Sequence, residues 1–231
     1  MNTPHPEEKH KSQRGNWLRA SILGVNDGIV STSSIMLGVL AAQADDKIIL
    51  ATGIASLVAG AFSMAAGEYV SVSSQRDSER ADIDIERRAL KDNPEGELQE
   101  LAEIYEERGL SKKLAMQVAV QLHDNDALDA HARDELGINK RMRAHPFQAA
   151  GASALAFAIG AAVPIIAALV GTSTDGTLIV VVSLIALAVS GSIGAVIGGG
   201  NKLIAALRVL AGGGIAMIVT FAIGHLVGVS L

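Results

Sequence analysis

Residues Met64 to Leu90 read MAAGEYVSVSSQRDSERADIDIERRAL, a stretch that passes from small and apolar residues to densely charged ones. No proline, no asparagine and no glycine beyond Gly67 punctuates the change. Helices end at such signals, so their absence predicts one helix that begins inside a membrane and leaves it, ending only at DNPEGE from Asp92.

Upstream and downstream, the chain supplies the membrane reading. Charge-free runs cover Ile48 to Gly67, Phe147 to Thr174 and Gly176 to Asn201, and Val209 to Leu231 carries only His225. About 20 apolar residues cross the ~30 Å of bilayer hydrocarbon as a helix, and each run approaches or exceeds that. A further run, Ala20 to Ala44, contains a single ionisable side chain, Asp27, which gives five spans. The 231 residues are 49% hydrophobic and 3% aromatic, with 24 Gly and no Cys, so disulfides and thiolate metal ligands are excluded. The polar stretch 1–16 reads as a disordered cytosolic tail, and it runs into a span too long for a signal-peptide core.

Of the 19 Lys and Arg, 12 lie between Arg76 and Arg143, four precede or open the first span, two flank the turn near Lys202, and one, Lys47, sits in the first outer loop. Basic loops stay on the cytoplasmic side. This places the N-terminus, the middle segment and the Lys202 turn inside, and the C-terminus outside. The expected organisation is all-α: residues 17–72 form the first two transmembrane helices, 73–145 an acidic helical cytosolic domain, and 146–231 the last three spans. The segment Ser71 to His145 holds 17 Asp and Glu against 12 Lys and Arg, while the remainder of the chain has 7 of each. Pro94, Gly109, Ser111, Asp126 and Gly137 punctuate the segment into three short helices beyond the extended second span.

The acidic residues are patterned. Glu79, Asp82 and Glu86 share one face of the helix leaving the membrane, Glu97 and Glu100 are spaced i, i+3 on the next helix, and His131 and Glu135 are spaced i, i+4 on the last. Like charges at these spacings repel unless a cation lies between them. Carboxylates with one imidazole suit a hard or borderline ion such as Fe(II), Mn(II) or Zn(II). Within the membrane, Asp27 lies eight residues from Arg19 and Met64 eight from Val72, so at 1.5 Å per residue both sit ~12 Å below the cytoplasmic boundary. Glu68 is one turn nearer the cytosol on the Met64 face. Carboxylate, thioether and carboxylate stepping inward describe a path for a divalent transition metal, because sulfur disfavours Mg(II) and Ca(II). Small residues, among them Gly24, Gly28, Gly53 and Gly60, allow close helix contact or a hydrated path. Pro164 and Ala211 to Gly214 mark places where a span can bend or unwind.

Enzyme chemistry has little to rest on. A ferritin-like di-iron site needs two Glu-x-x-His pairs on a bundle, and the spans and middle segment contain none; His-Glu-x-x-His is also absent. A membrane-anchored metal sensor or buffer is the alternative to a transporter, but an anchor has no use for Asp27.

The motifs GVNDGIVS (Gly24 to Ser31), SMAAGEYVSVSSQRD (Ser63 to Asp77), ELQELAEIYEERGL (Glu97 to Leu110) and DELGI (Asp134 to Ile138) resemble the vacuolar iron transporter family with its bacterial members. The resemblance covers nearly the whole chain after residue 16. It implies five spans, a cytosolic metal-binding domain on an extended second helix, and a homodimer with the path between subunits. It also implies proton-coupled export of Fe(II), and sometimes Mn(II), in a bacterial inner membrane; Co(II) and Zn(II) are further candidate cargo on ligand chemistry alone. By the same resemblance Asp27 and Met64 match intramembrane metal ligands, Glu68 the acid beside them, and Glu86, Glu97, Glu100 and Glu135 cytosolic ligands. Two departures stand out: Ala89 occupies a usual Glu position, and HARDE replaces a stretch that often carries paired methionines. His131 then substitutes for one of those methionines, with Glu79 and Asp82 as further compensating ligands.

Overall fold

The computed structural model describes residues 15–138, 145–171 and 176–230, with side chains from residue 21 to 229 within those ranges. The expected tail falls outside them except at its end, where the first helix already begins at Gly15. The described residues form helices α1 (Gly15–Ala41), α2 (Asp46–Asp92), α3 (Pro94–Glu107), α4 (Lys112–Asp134), α5 (Pro146–Val170), α6 (Thr177–Gly198) and α7 (Lys202–Ser230). Five of them, α1, α2, α5, α6 and α7, are long and apolar enough to cross a membrane. The chain divides into two compact units, one of residues up to Tyr69 and from Phe147 onward, the other Val70–Pro146, and α2 contributes to both.

In the first unit α1 and α5 are the most buried of the five membrane-length helices. On α1, Ile29, Met36 and Leu37 pack with Ile49, Ile165, Ile179, Leu187 and Met217, while Phe62, Ile166, Ile218 and Leu226 stay exposed on the outer faces. Hydrocarbon exerts no hydrophobic drive between helices, so small residues and close backbone approach must hold such a bundle. That is what α1 supplies. A Cβ at Gly28 would overlap the Phe157 carbonyl of α5, and one at Gly160 would overlap the Val25 carbonyl of α1. On another face Gly38 and Ala42 meet Gly224 and Gly228 of α7 in the same way. Thr32 Oγ1 and Ser56 Oγ, 3.2 Å apart, tie α1 to α2.

Neither Pro164 nor the Gly212 to Gly214 run breaks its helix: α5 and α7 pass through them. Unwinding in hydrocarbon would strand backbone N–H and C=O groups, which outweighs the local preference of three glycines. Breaks come where polar caps exist instead. Gly199, at φ 77°, closes α6, and Asn201 Oδ1 accepts from Leu203 N (2.9 Å) and Ile204 N (3.2 Å) to open α7.

In the second unit, Asn93 caps α3 by accepting from Gly96 N at 3.2 Å, with Pro94 at the first helical position. Gly109, at φ 97°, then turns the chain. α4 is interrupted at Asp126, whose backbone (φ −164°, ψ 91°) is extended and whose Oδ1 accepts from Asp129 N at 3.0 Å. The last part of α4 is thus a separately capped helix starting at the residue where the sequence predicts one. Leu101, Ala102, Ala119 and Ala130, none above 3% exposed, join α3 to both parts of α4. Three alanines let the helices approach closely, at the expense of apolar area.

Candidate metal centre

The last turn of α4 carries His131, which is fully buried. Its Nδ1 donates to Glu135 Oε2 at 3.1 Å, lies 3.1 Å from Glu86 Oε1 of α2, and stands 3.9 Å from Glu97 Oε2 of α3. One donor atom each from Glu86, Glu97 and His131 falls within 4.8 Å of the others, so three helices converge on one point. The arrangement follows from local sequence. The i, i+4 spacing of His131 and Glu135 aligns them on one helical face, and Ala130 against Leu101 presses that turn onto α3.

Its electrostatics are unresolved by protein groups alone. Glu86 is 5% exposed, and burial, then the neighbouring Glu135, pushes its carboxyl up to about 7, despite the opposing pull of His131. Burial and Glu135 also raise Glu100. Glu86 Oε1 and His131 Nε2 are buried without a hydrogen-bond partner; the 3.1 Å approach of Nδ1 to Glu86 lacks hydrogen-bond geometry. A buried carboxylate oxygen left unpaired is costly. A divalent cation among carboxylates and an imidazole relieves both the repulsion and the missing partners, and the donor set fits a borderline transition metal.

Five predicted residues, Glu86, Glu97, Glu100, His131 and Glu135, are electrostatic neighbours. Glu79 and Asp82 are not among them. Glu79 accepts from Gln75 Nε2 at 2.9 Å, and Asp82 is exposed. They share the Glu86 face of α2, but Glu79 sits ~10 Å and Asp82 ~6 Å along the axis from it.

In the first unit Asp27 is exposed on the outer surface of the single chain, and its backbone carbonyl accepts from Ser31 Oγ. Met64 and Glu68 are half-buried on α2, one turn apart. Among the described residues no hydrogen bond or ion pair links Asp27 to Glu68. Gly24 and Gly28, adjacent in the same motif, face α5 and not the exterior. Asn26, passed over in the sequence, has a buried side-chain oxygen without a partner beside Asp27.

Five membrane-length helices make the chain a multi-pass membrane protein by architecture, and its second helical unit sets one buried carboxylate, Glu86, and the more exposed Glu97, Glu100 and Glu135 around a buried imidazole, a donor set that could hold a metal ion. The VIT family profile matches residues 18–225. A "Vacuolar iron transporter" of Acanthamoeba castellanii is 46% identical over 229 residues, covering 95% of this chain and 82% of the relative. "Vacuolar iron transporter homolog 2.1" of Arabidopsis thaliana is 37% identical over 224 residues (96% and 86%), and "VIT-like transporter 1b" of Glycine max 38% over 220 residues (94% and 79%). The chain belongs to the VIT family.

Proposed function

We propose that this VIT-family metal transporter exports Fe(II), and Mn(II) as a second cargo, from the cytosol in exchange for protons, as a homodimer whose Val70–Pro146 unit gathers metal on the cytosolic side. The observation that carries the reading is Asp27, an exposed carboxylate on a membrane helix. Facing acyl chains it would cost at least ~2.5 kcal/mol, so it requires cover by protein or water. A second copy meeting the first along α1 and α2 would supply both, and would bring Asp27 and Met64 of the two chains to one axis.

A carboxylate that holds either a metal ion or a proton couples the two flows in opposite directions. Met64 adds a soft ligand that favours transition metals, and Glu68 receives the ion one turn nearer the cytosol. In the second unit Glu86, Glu97, His131 and Glu135, with Glu100 beside them, form the gathering site. Asp27 also separates this reading from a metal sensor or buffer, which would need the second unit alone. The basic residues between Arg76 and Arg143 favour a cytosolic location for that unit and for the N-terminus, with the C-terminus outside.

Proteoliposome flux of Fe(II), Mn(II), Co(II) and Zn(II), with and without a pH gradient, tests the proposal. Flux that rises with an opposing proton gradient and is accompanied by proton movement supports it. Flux indifferent to the gradient removes the coupling, and metal binding without any flux leaves the sensor.

A further inference from the structure

Immediately after the imidazole-bearing turn, Asp134 is bound from four directions. Tyr105 Oη donates to its Oδ2 at 2.8 Å, Arg108 Nη1 to its Oδ1 at 2.8 Å, Arg133 Nη2 to its Oδ2 at 2.7 Å, and Arg108 Nη2 to its backbone carbonyl at 2.9 Å. The Asp134 side chain is 9% exposed, and the Arg108 guanidinium lies 5.1 Å from the centre of the Tyr105 ring on its way there. Charge-assisted, two-point arginine contacts of this kind fix direction as well as distance.

The placement of this node is informative. Tyr105 stands on the last turn of α3 and Arg108 is its C-cap, whereas Glu97 and Glu100 stand on its first turns. Asp134 stands at the end of α4, next to Glu135 and three residues from His131. The final part of α4 starts afresh after the extended residue Asp126, so no continuous helix from Lys112 sets its rotation. Ala130 against Leu101 gives it a pivot but little grip, since an alanine methyl on a leucine resists rotation weakly. A second point of attachment at the other end is needed to aim His131 and Glu135 at Glu86 and Glu97.

We infer that the Tyr105–Arg108–Asp134 cluster is a positioning device for the metal centre: it fixes the rotation and register of the last turn of α4 and thereby holds His131 and Glu135 in ligating geometry. The inference rests on the proposed metal-gathering role of the Val70–Pro146 unit. None of the three side chains is itself a ligand. Each acts through the helix that carries the ligands, as groups behind a metal's own ligands do elsewhere.

The test uses the full-length protein in detergent, titrated with Co(II) and followed by calorimetry and by the visible ligand-field spectrum. Tyr105→Phe keeps the ring and removes one donor; Asp134→Asn keeps the shape and removes the charge; Arg108→Lys keeps the charge and removes the fork. Affinity is expected to fall ~10-fold or more in Asp134→Asn and by less in Tyr105→Phe, the range seen when groups behind metal ligands are changed. The spectrum is expected to shift toward that of His131→Ala, with circular dichroism unchanged. Arg108→Lys should also lower affinity, because a point charge lacks the two-point contact. Arg87→Ala, an exposed arginine that among the described residues pairs with Asp84, should behave as wild type. Wild-type affinity and spectrum in both Tyr105→Phe and Asp134→Asn overturn the positioning role alone. Absence of Co(II) binding by the wild-type protein overturns the metal-centre reading beneath it.

Discussion

His131 Nδ1 lies 3.1 Å from Glu86 Oε1, and neither residue exceeds 5% exposure. An imidazole and a carboxylate from helices α4 and α2 are thereby pressed together with a carboxylate oxygen left unpartnered. The pH dependence follows from Glu86, whose carboxyl is raised to about 7 by burial and by Glu135. A raised carboxyl binds its proton more tightly folded than unfolded, so its contribution to stability is full below about 4.5 and is lost as pH rises through about 7. Without metal, the melting temperature of this unit should fall between those limits. Saturating Fe(II) or Mn(II) should remove the fall, and metal binding just below pH 7 should release protons. Thermal melts in chelator and in metal across pH 5 to 8 check this; Glu86→Gln should flatten the chelator profile.

Asp134 behaves oppositely. Burial would raise it, but hydrogen bonds from Arg133, Arg108 and Tyr105 outweigh that and hold it at about 2. Its contribution to stability is therefore present above the usual carboxylate range and lost only as pH falls toward 2. Acid unfolding of the second unit should shift to higher pH in Arg108→Ala, monitored by circular dichroism.

Removing the two proposed ligands on α3 should weaken metal binding without loss of fold. Glu97→Ala with Glu100→Ala leaves Leu101 and Ala102 in the core, and lowers the repulsion around Glu86. Calorimetric affinity of the full-length protein for Mn(II) should drop ~10-fold or more, while metal-free stability rises.

The tight helix crossings predict an asymmetry among glycines. Gly224→Val places a branched side chain against the Gly38 carbonyl and should cost ~1–3 kcal/mol of bundle stability. Gly212→Ala meets nothing within 4 Å and should be neutral or gain up to ~1 kcal/mol from helix propensity. Detergent-resistance melts of the two variants separate these outcomes.

The proposed dimer is testable by introduced cysteines because the chain has none of its own. Leu23 is 62% exposed and adjacent to Asp27 in projection, whereas Gly24 is packed on Ala156. Leu23→Cys should crosslink between copies in membranes and Gly24→Cys should not. Absence of crosslinking at Leu23 would contradict a dimer along α1.

The membrane helices were legible because each span is a run without charge long enough to cross hydrocarbon, and α2 because nothing in Met64 to Leu90 breaks a helix. Single-helix periodicity also marked the Glu86, Glu97 and His131 faces. It gave no account of where neighbouring helices cross, which is why Glu79 and Asp82 share the face of Glu86 but not its surroundings. Gly24 and Gly28 were visible as small residues, but their role against α5 depends on the partner backbone. The Arg108–Asp134 pair spans 26 residues and two helices, and no periodic signal marks it. Asn26 was hidden beside a more conspicuous acid.

The most direct test of the central claim is the Asp27→Asn variant in proteoliposomes carrying a proton gradient, with Fe(II) flux and internal pH recorded together. The amide keeps the shape of the side chain and removes the charge that attracts the metal and exchanges the proton. The account predicts loss of both Fe(II) movement and the accompanying proton flow, with metal binding by the Val70–Pro146 unit intact; Met64→Leu should retain reduced flux with weaker discrimination among metals. Fe(II) flux at the wild-type rate in Asp27→Asn would contradict it, and would make that carboxylate a structural group.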